Sequence, residues 1–131
     1  PESGLGPREE EKADYYRWMF FAAGPLEQAV TNNSAGFTAS EQQQRMFGYG
    51  HYDLAVNTLA DHLAGRDYVC GSRFNAADVY VGSAVMWGVQ FGTLPKLDPF
   101  ISYAEGLSQR DAYRRGKDED NQLISEMQAA G

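Results

Sequence analysis

His51, His62 and Cys70 are the residues best suited to ligate a metal or attack an electrophilic carbon, and their spacing argues against both roles. Eleven residues separate the two histidines. On one continuous helix they share a face but stand about 16 Å apart, too far to grip one ion. With one cysteine in the chain, neither a zinc site nor an internal disulfide can be drawn. A catalytic thiol needs a cationic neighbour or a helix N-terminus, and Arg73 is a weak candidate for that part. Cys70 therefore reads as a small buried hydrophobe. Gly48-Tyr49-Gly50 begins like a dinucleotide-binding loop, but Asp53 holds its sixth position and no strand precedes it. No phosphate-binding loop, HExxH or GxSxG is present.

Composition narrows the partners. The formal net charge is −7 over 131 residues. That disfavours nucleic acid and anionic membrane surfaces, whose phosphates are bound by cationic side chains. The start, Pro1-Glu2-Ser3-Gly4, has neither the basic nor the apolar region of a signal peptide. No apolar run approaches the ~20 residues that span a bilayer. A single cysteine suits a reducing compartment, so a cytoplasmic location is expected. Hydrophobic residues at 43% are enough for one packed core,.

The elements that position these side chains read as helices. Residues 1–7 read as a linker rich in Pro, Ser and Gly, ahead of a helical domain over 8–131. A first helix carries Tyr15, Trp18, Met19, Ala22, Leu26, Ala29 and Val30 at helical spacing. Tyr16, Phe20, Ala23 and Glu27 form a second stripe beside it. Two apolar faces need two partners, and Pro25 should bend this helix. Thr38-Ala39-Ser40-Glu41 reads as a capping box opening a long helix to Leu63, with Gly65 as its left-handed cap. Gly48 and Gly50 inside it suit a close helix approach or a local break. Val79-Tyr80-Val81 has strand propensity, but Asn75 and Asp78 stand in capping-box register and favour a helix from Ala76 to about Gln90. That helix is apolar nearly all round, which predicts a central place. Asp98-Pro99 starts the next helix, with Asp98 as N-cap, and Asp111 caps a last one. The sum is an all-α bundle of about five helices.

Gly71-Ser72-Arg73-Phe74-Asn75-Ala76-Ala77-Asp78-Val79 resembles the glycine and capping box of the C-terminal helical domain of cytosolic glutathione transferases, with Asn75 in the usual Ser/Thr place. Trp18 to Glu27, with its Gly-Pro-Leu-Glu turn, resembles the first helix of bacterial members. Leu97, Phe100, Tyr103 and Arg110-Asp111-Ala112-Tyr113 resemble the closing helices, although Asp111 stands where a Pro is common. Residues 1–7 look like the interdomain linker.

The resemblance implies a glutathione transferase of which this chain is the electrophile-binding half. Glutathione, the co-substrate, is held and activated in that family by a thioredoxin-like N-terminal domain, expected to be absent from this chain. No catalytic residue and no metal is therefore assigned here, and the chain alone is expected to be inactive. The implied ligand is a small hydrophobic electrophile. Its expected lining is Phe20, Ala23, Gly24 and Glu27 from the first helix and Tyr80, Ser83 and Trp87 from the central one. Packing roles for the same aromatics, and a solvated Glu27, remain the alternative. A homodimer covering the surface near Tyr16 and Gly48 is also implied. A non-catalytic interaction module and a ligand-storing bundle stay open.

Overall fold

The computed structural model describes residues 3–130. Pro1, Glu2 and Gly131, the ends of the expected linker and domain, lie outside them. A short 3-10 turn, Glu9–Glu11, leads into α1 (Lys12–Phe21). The chain then widens into a π turn over Ala22–Leu26 and continues as α2 (Glu27–Ser34). The π turn contains Pro25. Proline has no N–H to give the ladder, and a wider turn absorbs the defect where a bend was expected. α3 (Glu41–Met46), α4 (Tyr52–Leu63), α5 (Ala76–Phe91), α6 (Asp98–Ser108) and α7 (Asp111–Ala130) follow. No strand forms among the described residues; an isolated bridge joins Tyr68 and Gly71. The class is all-α.

α5 packs against α1 and α6, and α4 packs against α6 and the π turn. Their shared core holds Trp18, Leu26, Leu59, Leu63, Val85 and Phe100. A smaller cluster of Ala29, Tyr49 and Ala55 sits under the α2–α4 crossing.

The long helix expected from Thr38 to Leu63 is two helices. Ser40, not Thr38, caps α3: its hydroxyl accepts from the Gln43 amide, and the Gln43 side chain accepts from the Ser40 amide at 2.8 Å. The chain then breaks at Gly48–Gly50. Gly50 takes φ +68°, a left-handed conformation that L side chains rarely adopt,. The break drops Tyr49 into the small cluster, where its hydroxyl accepts from the Asn32 side-chain Nδ2 at 2.8 Å. His51 is consequently the N-cap of α4, its Nδ1 accepting from the Leu54 amide. The helix count exceeds five for the same reasons, the π turn and this break.

Two other expectations shift. α6 begins at Asp98 with Leu97 at the cap position, so Asp98 does not cap it. α5 is not covered all round: Val79, Tyr80, Trp87 and Phe91 are exposed along one side. Gly65 does cap α4 at φ +70°.

α5 meets its neighbours closely at two glycines. A Cβ at Gly82 would stand 2.4 Å from Leu107 Cδ1, the movable end of a side chain. A Cβ at Gly88 would meet Leu94 Cγ at 2.6 Å and its Cβ at 3.0 Å, atoms near the root of the side chain that yield less readily than its tip. Gly88→Ala should therefore cost about 1–3 kcal/mol despite alanine's better helix propensity, and more than Gly82→Ala. Urea denaturation of the pair checks this; equal or reversed costs would contradict the packing.

Candidate functional site

The α1–α2 rod and α5 enclose a groove of about 490 Å³. Ala22, Leu26, Gly88 and Leu94, all buried, form its floor; Glu27, Tyr80, Trp87 and Phe91 stand exposed around it. Helical register explains the α5 contribution. Tyr80, Ser83 and Trp87 fall at i, i+3 and i+7, on one face. The Ser83 hydroxyl donates to the Val79 carbonyl at 2.6 Å, so its proton is already held within the helix. The Trp87 and Phe91 rings meet edge to face at 5.7 Å.

A second cleft of about 340 Å³ adjoins the first through Tyr80, which lines both, and includes Tyr16, Phe20 and Ala23. The expected lining thus divides. Glu27, Tyr80, Ser83 and Trp87 come together in the groove; Phe20 and Ala23 join Tyr80 in the adjoining cleft; Gly24, in the π turn, lines neither cavity.

Sequence reasoning missed Val30, Thr31, Phe91, Thr93 and Leu94. Val30 and Thr31 lie three and four residues beyond Glu27, and Phe91 four beyond Trp87, so extending the periodicity by one turn finds them. Thr93 and Leu94 had no such signal. Gly92 caps α5 at φ +74°, and the Leu94 amide turns back to the Gly88 carbonyl at 2.9 Å. The Tyr52 hydroxyl pins this turn by donating to the Thr93 carbonyl at 2.7 Å.

The capping box holds the other end of α5. Asn75 Oδ1 accepts from the Ala77 amide at 2.9 Å, and Asp78 Oδ2 from the Asn75 amide at 3.0 Å. Asp78 Oδ1 also accepts from the Val69 amide at 2.7 Å and the Tyr103 hydroxyl at 2.9 Å. Both residues are structural anchors here. Burial pushes the Asp78 carboxyl above its ordinary value, against the lowering effect of these bonds.

Arg73 does not activate Cys70. Its guanidinium pairs with the Glu11 carboxylate and donates to the Gly4 and Gly6 carbonyls, while the Ala76 amide donates to the Leu5 carbonyl at 2.9 Å. The described part of the expected linker is thereby docked on the start of α5. Burial pushes the Cys70 thiol up. The half-buried thiol thus lacks the cationic partner that would activate it,.

The Arg73 bond, helped by the Arg8 amide, holds the Glu11 carboxyl below its ordinary value near 4.5. A depressed carboxyl stabilises the folded chain above its unfolded value and loses that contribution as pH falls through the folded one. The Arg8 amide resonance should therefore titrate with Glu11 at a midpoint below 4.5, and Arg73→Gln should raise that midpoint. A wild-type midpoint at or above the ordinary value would contradict the clamp.

His62 is neither a ligand nor a surface side chain. Its ring stacks on Trp18 with centroids 4.0 Å apart, and its Nε2 lies 2.8 Å from the Val69 carbonyl. No set of three metal-ligating side chains gathers among the described residues. No helix among them is long and apolar enough to cross a membrane. No family model, no curated protein and no solved structure matches the chain.

Proposed function

We propose that the α2–α5 groove takes a small apolar ligand, and that the chain serves as the electrophile-binding half of a glutathione transferase. One observation carries the reading: Glu27, Tyr80, Ser83 and Trp87, marked as lining by the sequence resemblance, line one apolar cavity of about 490 Å³. That volume suits a small aromatic molecule. The resemblance assigns glutathione and its thiol activation to a thioredoxin-like domain, so the groove's part is to hold the electrophile while the thiolate attacks. The expected result is that the chain alone binds a chlorinated aromatic, that Trp87→Ala weakens this binding about tenfold, and that the chain does not turn the compound over with glutathione. Absence of binding, or clear turnover by the chain alone, would overturn the reading.

A second reading is favoured by exposure. Phe20 is 72% exposed, Trp87 67% and Phe91 66%. Large aromatics grouped in this way mark surfaces that another protein or domain covers. A non-catalytic interaction module with a homodimeric or heteromeric contact here is the alternative. Phe20→Glu separates the two: it leaves ligand binding in the groove largely intact but abolishes association through the face.

A further inference from the structure

The charge pattern of the groove is unbalanced. Among the described residues that line it, Glu27 alone carries a formal charge, and none is a lysine or an arginine. Glu27 is exposed. The ion pairs among the described residues lie elsewhere, at Lys12–Glu9 and Arg73–Glu11. The carboxylate is therefore available to a ligand. Three aromatic side chains, Tyr80, Trp87 and Phe91, line the same cavity and are themselves exposed.

Aromatic ring faces attract cations electrostatically, and Trp does so most strongly. A carboxylate beside an apolar wall does the same with less competition from water than in the open. An anion in this groove would meet Glu27 with no compensating cation. A neutral molecule would leave the carboxylate unused. We infer that the groove selects a lipophilic monocation: an apolar body, aromatic or aliphatic, carrying one quaternary or protonated amine. The body lies over Leu26, Gly88 and Leu94, and the charged head lies between Glu27 and the aromatic rim. This rests on the reading of the groove as a small-molecule site and specifies the ligand class it takes.

The net charge of −7 concentrates any cation near the protein. The inference requires more, a preference that depends on residue 27. Three probes sharing one naphthyl body test it by calorimetry on the whole chain: a naphthylmethyl-trimethylammonium, the neutral naphthylmethanol and a naphthalenesulfonate. The ammonium should bind about tenfold tighter than the neutral probe, and the sulfonate weakest. Glu27→Gln should lower the ammonium-to-neutral ratio several-fold, leaving the smaller preference that the aromatic rim and the overall charge supply, with an unchanged thermal melt showing that the fold is kept. Equal binding of the three probes, or a ratio unmoved by Glu27→Gln, overturns the inference while leaving the groove a ligand site. If none of the three binds, the groove is not a ligand site and the inference falls with it.

Discussion

Asp78→Ala should remove about 3–5 kcal/mol of stability, enough to unfold a large share of the molecules in a marginally stable domain. The side chain is 1% exposed. Its two oxygens accept from the Val69 amide, the Asn75 amide and the Tyr103 hydroxyl. Alanine would strand three donors where water cannot replace the acceptor, and each stranded donor costs about 1–3 kcal/mol. The sum is reduced because burying the carboxylate is itself costly, as the upward push on its pKa shows,. The same bonds tie the Tyr68–Gly71 turn and α6 to the start of α5, so the loss is not confined to one helix end. Asp78→Asn keeps one acceptor oxygen and should cost less. Tyr103→Phe removes a single donor together with its bond and should cost about 1 kcal/mol. Urea midpoints in that order support the arrangement; an Asp78→Ala loss below that of Tyr103→Phe would overturn it.

The pH dependence of this group runs opposite to that of Glu11. A folded carboxyl above its ordinary value contributes stability at low pH and loses it as pH rises through the folded value,. Acidification therefore weakens the chain through Glu11 and not through Asp78.

The Asn75–Asp78 box was legible because its bonds join residues two and three apart, within one helical turn. Its long-range partners, Val69 and Tyr103, were not: nine and twenty-five residues away in sequence, they are brought there by tertiary packing. Tyr16 and Phe20, in the second stripe on α1, are exposed in this chain. The start of α3 was misplaced by two residues. Thr38 with Glu41 has the spacing of a capping box, but Ser40 with Gln43 forms it,. Ala39 is buried and its carbonyl accepts from the Gln44 side chain, which leaves Ser40 at the helix start. The Gly48–Gly50 break stood only as an alternative to a close helix approach, because glycine costs in a helix are small, about 1 kcal/mol each. Burying Tyr49 against Ala29 and Ala55 outweighs what a continuous helix offers. On α5, an apolar composition all round could not say which side the fold leaves open. Of the groove's lining, Glu27, Tyr80, Ser83 and Trp87 were marked by the resemblance, and helical register on two rods extends them to Val30, Thr31 and Phe91,. The Thr93–Leu94 wall followed instead from a left-handed glycine and a backbone turn, which leave no periodic trace.

Trp18→Ala should cost about 3–5 kcal/mol, the range for truncating a buried tryptophan. Trp18 is 2% exposed, edge-on to Phe21 at 5.1 Å and stacked on His62. Its indole N–H is buried and meets no acceptor among the described residues. An unpartnered donor offsets part of what the ring contributes. Trp18→Phe keeps most of the packing and deletes that donor, so it should cost about 1 kcal/mol or less. The stack also helps to bury the His62 ring. Burial lowers its pKa below the ordinary 6.5, against the Val69 carbonyl and Asp14, with Arg66 and Arg17 acting alongside burial. A histidine held neutral in this way stabilises the fold above its unfolded pKa and loses that contribution as pH falls through 6.5 toward the folded value,. Trp18→Ala opens the ring to water, so the His62 midpoint, followed by NMR, should rise toward the ordinary value. The mutant's stability should then depend less on pH in that window than the wild type's. A midpoint that Trp18→Ala leaves in place would mean that the ring is not what keeps water from His62.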